Sequence, residues 1–357
     1  MRPSFHLQLV NPPFGDPGLL VDFLFEKRAL LFDLGELRAL PPRKLLRVSH
    51  VFVSHTHMDH FMGFDWLLRI SLGRPSAIEL FGPPSIVAQV EAKLSGYTWN
   101  LVQNYAGNFT IQVNELHPDG RLERARFACR ERFRCQPLPS VRCNDGLLVA
   151  EPGFRVRATL LDHEVPVLAF ALEEPRHVNL WKSRLAEMGL PVGRWLQPLK
   201  QAVLAGATDD TPVRAFWKTK GGSGERTLLL GDLRPAIRVV PGSRIAYVTD
   251  VAHHAENVRR IIELARGADV LFIESVFLDE DAEHAARKFH LTARQAGSIA
   301  RAAAARQVVP FHFSPRYSGR EAELRQELAQ SFGGSADAAS GAGPPLQASG
   351  EIPMGIV

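Results

Sequence analysis

A chain of 357 residues, 45% apolar and 22% charged with a formal net charge of +4, can bury a large core as one big domain or two joined ones. Its opening, Met1-Arg2-Pro3-Ser4-Phe5-His6, lacks the apolar core and small-residue cleavage site of an export signal, and no apolar run reaches the roughly 18 residues of a membrane span, so a cytoplasmic protein is expected. Cys129, Cys135 and Cys143 form an odd set outside any CxxC pair, which argues against a disulfide framework and a thiolate zinc site alike.

In chain order, apolar alternation predicts strands over residues 5–10, 29–33 and 46–54, the last through Val48, Val51, Phe52 and Val53. A helix is expected over 63–72, a strand over 77–81, a helix over 85–94 and a strand over 109–116. Arg121, Arg124, Arg126, Arg130, Arg132 and Arg134 then crowd one segment against only Glu123 and Glu131. Such a patch attracts phosphates, although a solvated charged edge has the same composition. Strands follow over 154–161 and 168–172. Between 173 and 225 the pattern turns polar, with Pro and Gly punctuation, amphipathic pieces over 179–188 and 194–204, and a Gly-Gly-Ser-Gly turn at 221–224; this reads as an insertion. Strands at 227–230, 245–248, 270–273 and 308–313 alternate with helices at 257–266 and 292–306, the last opened by the capping box Thr292 to Gln295. The order implies an α/β arrangement with mixed strands in residues 1–332 and, over 333–357, a tail too poor in large apolar residues to fold.

The string His55-Thr56-His57-Met58-Asp59-His60 follows the third strand and places three imidazoles and a carboxylate in one strand-to-helix loop. His55 and His57, two apart on extended backbone, face the same side, while the next turn brings Asp59 and His60 toward a second ion. Two ions need further ligands, and His163, Asp250 and His312 stand at or near the ends of later strands. A lone His or Asp in such a place is more often structural. Together, and in this order, they form a pattern.

The series from His55 to His60, then His163, Asp250 and His312, resembles the metallo-β-lactamase fold and, within it, the ribonuclease Z family of tRNA 3′-processing endonucleases. Local strings narrow the likeness: Asp162-His163-Glu164-Val165-Pro166, Tyr247-Val248-Thr249-Asp250, the segment 268–277 carrying Glu274, Lys288-Phe289-His290-Leu291-Thr292-Ala293, and His312-Phe313-Ser314-Pro315-Arg316-Tyr317. Ile273 replaces the histidine common before that glutamate. The insertion keeps a resembling stretch at 189–196 without the long Gly- and Pro-rich arm that grips tRNA in the family.

The resemblance implies a four-layer αββα fold with two mixed sheets and an inserted helical segment. It also implies two Zn²⁺ per chain, one held by His55, His57, His163 and Asp250, the other by Asp59, His60, Asp250 and His312, with Asp250 bridging; the donor set tolerates Mn²⁺ as well. Precursor tRNA is the expected substrate and a homodimer the expected assembly. For hydrolysis of a phosphodiester, Asp59 is assigned as general base, and His290, oriented by Glu274, as proton donor to the leaving 3′ oxygen. A dinuclear phosphodiesterase acting on a small diester is the alternative, distinguishable by its weak salt dependence. A silent RNA-binding module conflicts with the complete ligand set.

Overall fold

A computed structural model describes residues 5–219 and 222–333. The expected tail beyond Gly333 and the first residue of the 221–224 turn lie outside the described residues. Two compact units emerge, one of residues 1–149, 156–172 and 244–357 and one of residues 150–155 and 173–243.

The larger unit is built on two sheets. One has eight strands in sequence order: Phe5–Leu9, Leu19–Phe23, Ala29–Phe32, Val48–Phe52, Ala77–Gly82, Thr110–Leu116, Arg121–Ala128 and Gln136–Arg142. Its third to sixth strands run parallel and its flanks antiparallel. The other has six strands in the order Val308–Phe311, Val270–Glu274, Arg244–Val248, Val165–Glu173, Arg155–His163 and Leu147–Ala150.

Alternation decides what each face touches. Phe32 and Phe52 stack at 5.0 Å between ring centres and meet Phe170 of the second sheet at 5.6 Å each, so large aromatic rings fill the space between the sheets. The opposite face of the first sheet, with Leu31, Val51 and Val53, packs on the helices Phe64–Ser71 and Ile86–Ser95 through Leu67, Leu68 and Val90. The outer face of the second, with Val167, Ala169, Val248 and Leu271, takes Ala255–Ala265, Ala293–Ala302 and Glu321–Phe332 through Ile261, Ile299 and Leu328. Helix, sheet, sheet, helix is the four-layer order expected.

The smaller unit differs from the expected helical insertion. It contains the helices Lys182–Glu187 and Leu196–Leu204, but also two antiparallel pairs, His177–Leu180 with Ile237–Val240 and Pro212–Thr219 with Gly222–Leu229. It therefore runs on to Ser243 rather than ending at 225, and the strand expected at 227–230 belongs here and not to the main sheets. The reason is packing: Val213, Ala215, Leu230 and Leu233 share a core with Leu185, Leu199 and a fully buried Trp195, whose Nε1–H donates to the Pro191 carbonyl at 2.9 Å.

Candidate metal centre

The strands of the larger unit end in the residues the sequence singled out. Val48–Phe52 leads into His55, His57 and, on the short helix Met58–Phe61, Asp59 and His60. Arg155–His163 ends on His163; Asp250 follows Arg244–Val248, and His312 follows Val308–Phe311. Asp33, Asp250 and His312 all hold positive φ (58°, 32° and 59°), a left-handed backbone that residues with a side chain rarely adopt and that turns each side chain out of its strand line. The loop is wedged by close backbone contact. A Cβ on Gly63 would lie 2.1 Å from the Gly35 carbonyl, and one on Gly35 would lie 2.8 Å from that of Asp59, so neither position has room for a side chain.

Every predicted ligand converges on Asp250. His55 Nε2 and His163 Nε2 lie 3.6 and 3.5 Å from Asp250 Oδ2, and His57 joins them with ring centres 4.3 Å from His55 and 5.4 Å from His163. On the other carboxylate oxygen, His60 Nε2 stands 3.3 Å from Oδ1 and 3.4 Å from Asp59 Oδ2, which is itself 3.3 Å from His312 Nε2. His312 Nδ1 approaches Asp250 Oδ1 to 2.8 Å.

These groups fit a pair of cations. His55 Nε2, His60 Nε2 and His312 Nδ1 are buried without a hydrogen bond of acceptable geometry, an arrangement costly for polar atoms unless an ion takes their lone pairs. Ligands about 2.1 Å from a tetrahedral ion are about 3.4 Å apart, close to most of these separations. The charges agree. Burial, reinforced by His60, pushes His55 down to about 2, and burial with His163 also lowers His57, so both are neutral donors. For His60 and His312 burial opposes charge, but Asp250, helped by Asp33 at His60, outweighs it and carries both well above the usual imidazole range. A carboxylate field that forces protons onto buried imidazoles marks a place for a cation.

The outer contacts hold the rings. His163 Nδ1 meets the Phe289 carbonyl at 2.8 Å, which makes it a donor there and leaves Nε2 as the ligand atom. Glu274, fully buried, accepts from the Val251 and Leu291 amides at 3.0 Å each and lies 2.8 Å from His290 Nδ1. Burial works against charge on His290, but Glu274 overrides it and raises its pKa. Glu274 also comes within 3.7 Å of His312 Nδ1. Ile273, in place of the histidine, is buried.

Asp33 escaped the sequence reading. Its Oδ2 receives Ser54 Oγ–H at 2.8 Å, Tyr247 Oη–H at 3.0 Å and His60 Nδ1 at 3.0 Å, and its Oδ1 receives the Ser54 amide at 2.6 Å. Ser54 Oγ in turn lies 3.1 Å from His55 Nδ1, so this one carboxylate orients a histidine on each side of Asp250. The signal was present: Asp33 is the first charged residue after the buried run Ala29-Leu30-Leu31-Phe32, as Asp250 is after Tyr247-Val248-Thr249.

Asp59, His290 and His312 also line a cleft of about 460 Å³ with Phe14, Phe277, Lys288 and Arg316. The N-terminal segment forms part of that wall: Phe14 packs edge-on against Phe313 at 5.4 Å, and the Phe313 amide donates to the Pro13 carbonyl at 2.7 Å. Lys288 and Arg316 are exposed cations on the same cleft, a surface suited to phosphates.

Comparison with known proteins agrees with this geometry. Residues 9–215 and 211–313 match the family model for the beta-lactamase superfamily domain. The chain is 32% identical over 309 residues to the ribonuclease Z of Deinococcus radiodurans, covering 84% of this chain and 86% of that protein. It is 27% identical to the ribonuclease Z of Natronomonas pharaonis, covering 86% and 84%. Among solved structures, the metallo-beta-lactamase fold protein YhfI from Bacillus subtilis covers 92% of each chain at 16% identity with a TM-score of 0.52, a likeness of fold. By sequence identity across most of its length and by fold, this chain belongs to the ribonuclease Z family of the beta-lactamase superfamily.

Proposed function

We propose that this protein is a metal-dependent endoribonuclease that removes the 3′ trailer of precursor tRNA, and that two zinc ions would be held at its strand ends with Asp250 a ligand to both. The convergence of imidazoles and carboxylates on both oxygens of Asp250, at the wall of a cation-lined cleft, is the observation that carries the reading. His55, His57 and His163 would hold one ion and Asp59, His60 and His312 the other; imidazole and carboxylate donors without thiolate suit Zn²⁺ and accept Mn²⁺. When bound, the pair supplies an acidified water and positive charge against the phosphoryl oxygens.

The protein's own groups do the rest. Asp59, on the first turn after His57 and 41% exposed toward the cleft, is placed to accept the attacking water's proton. Its carboxyl is held well below the usual range: burial opposes this, but contacts with His312 and His60 prevail, so it starts the reaction deprotonated. His290 gives Nδ1–H to Glu274, leaving Nε2–H as the proton source for the departing 3′ oxygen. Lys288 and Arg316 neutralise flanking phosphates, and the half-buried ring of Phe14 offers a stacking surface for a base. Among the described residues no helix is long and apolar enough to cross a membrane. Family membership supports a cytoplasmic homodimer as the working assembly.

Cleavage of a 3′-extended precursor tRNA and of a small chromogenic phosphodiester, run in parallel with zinc-loaded protein, tests the assignment. Cutting of the tRNA just after its discriminator base, lowered about 10²- to 10⁴-fold by Asp59→Ala, is expected. Hydrolysis of the small diester alone would refute the tRNA substrate.

A further inference from the structure

Away from the strand ends that hold Asp250, a second set of metal-ligating side chains converges at the far flank of the eight-stranded sheet: Glu115, His117 and Glu123. Sheet geometry puts them together. Glu115 and His117 are two apart and share a face, and Glu115 lies directly across from Glu123 in the antiparallel register of Thr110–Leu116 with Arg121–Ala128. The His117 amide donates to the Arg121 carbonyl at 2.9 Å and so fixes the turn between them.

His117 Nε2 lies 3.1 Å from Glu115 Oε1 and 3.5 Å from Glu123 Oε2. That nitrogen is buried and makes no hydrogen bond of acceptable geometry. The Glu115 side chain is only 8% exposed, and its second oxygen accepts the Val87 amide at 3.1 Å, at the start of the helix Ile86–Ser95. Carboxylates directly opposite in a sheet repel, and burying one of them adds a desolvation cost, so positive charge is required between them. Arg121 pairs with Glu123 but is 42% exposed, and it meets the outer oxygen rather than the buried pair.

We infer that Glu115, His117 and Glu123 form a separate site for a divalent transition-metal ion of the zinc class, which staples this hairpin to the start of the helix Ile86–Ser95. One imidazole and two carboxylates are suitable donors, and their separations bracket the roughly 3.4 Å between ligands of a tetrahedral ion. Water completes the coordination. The site is structural, and the reaction centre works without it.

Calorimetric titration of Zn²⁺ into the metal-stripped full chain, beside His117→Ala, Glu123→Gln and Arg121→Gln, tests this inference, with cleavage of precursor tRNA followed in parallel. The wild-type chain should bind one equivalent beyond the two of the Asp250 centre, an equivalent that His117→Ala loses and Glu123→Gln weakens by about tenfold or more. Arg121→Gln should tighten the same equivalent by removing a competing cation, and cleavage by all three zinc-loaded variants should match the wild type. If His117→Ala does not fold, Glu123→Gln, altered at a half-exposed side chain, carries the comparison. Equal stoichiometry and affinity in the wild type and the folded variants would overturn the site.

Discussion

On one side of Asp250 the rings of His55 and His163 lean on a hydroxyl and a backbone carbonyl, while His57 stands exposed; on the other side His60 leans directly on the Asp33 carboxylate through Nδ1. A carboxylate partner fixes the tautomer and makes the imidazole a stronger ligand, whereas a neutral partner mainly orients it. The two halves share Asp250 but not a quality of support. The ion beside His60 and His312 should therefore be the more firmly held, and the one beside His57 the first to leave under a chelator.

Removing the shared residue abolishes that difference. Asp250→Ala should lose metal on both sides and lower tRNA cleavage at least about a thousandfold, measured by metal analysis and single-turnover rates. Asp33→Asn should weaken metal binding about 10- to 100-fold, chiefly on the His60 side, because an amide brings N–H donors to a spot where four donors already point. Competition with a chelator reads this directly. His57→Ala should cost only the weaker half: one ion retained, one exchanging quickly, and the chelator sensitivity of the two steps spread further apart. Tyr247→Phe, which removes one of the donors to Asp33, should do least, lowering stability by about 1 kcal/mol in denaturant unfolding with both ions kept.

The convergence on Asp250 was legible because His and Asp are chemically distinctive and these stand at or near the ends of strands whose apolar runs are plain, as at Val48–Phe52 and Arg244–Val248. Asp33 was not, since an aspartate closing a strand reads as a cap, and only the folded chain reveals Tyr247 reaching it across 214 positions. The segment Arg121–Ala128 hid in its charge: its arginines drew attention to phosphate binding, while Leu122, Ala125 and Phe127 between them were supplying a strand. Glu321–Phe332 was missed for a related reason, because Leu324 and Leu328 are few anchors in a charged stretch. The smaller unit was read as helical and short because its strands alternate weakly, with Arg214 and Phe216 outward and only Val213 and Ala215 inward.

Anomalous diffraction at the zinc edge, from crystals of the zinc-loaded full-length chain, tests the shared-carboxylate centre most directly. Two peaks flanking the Asp250 carboxylate are predicted, one about 2.0–2.2 Å from ring nitrogens of His55, His57 and His163, the other equally close to those of His60 and His312 and to Asp59. A single peak at this centre, or peaks that Asp250 does not touch, would contradict it.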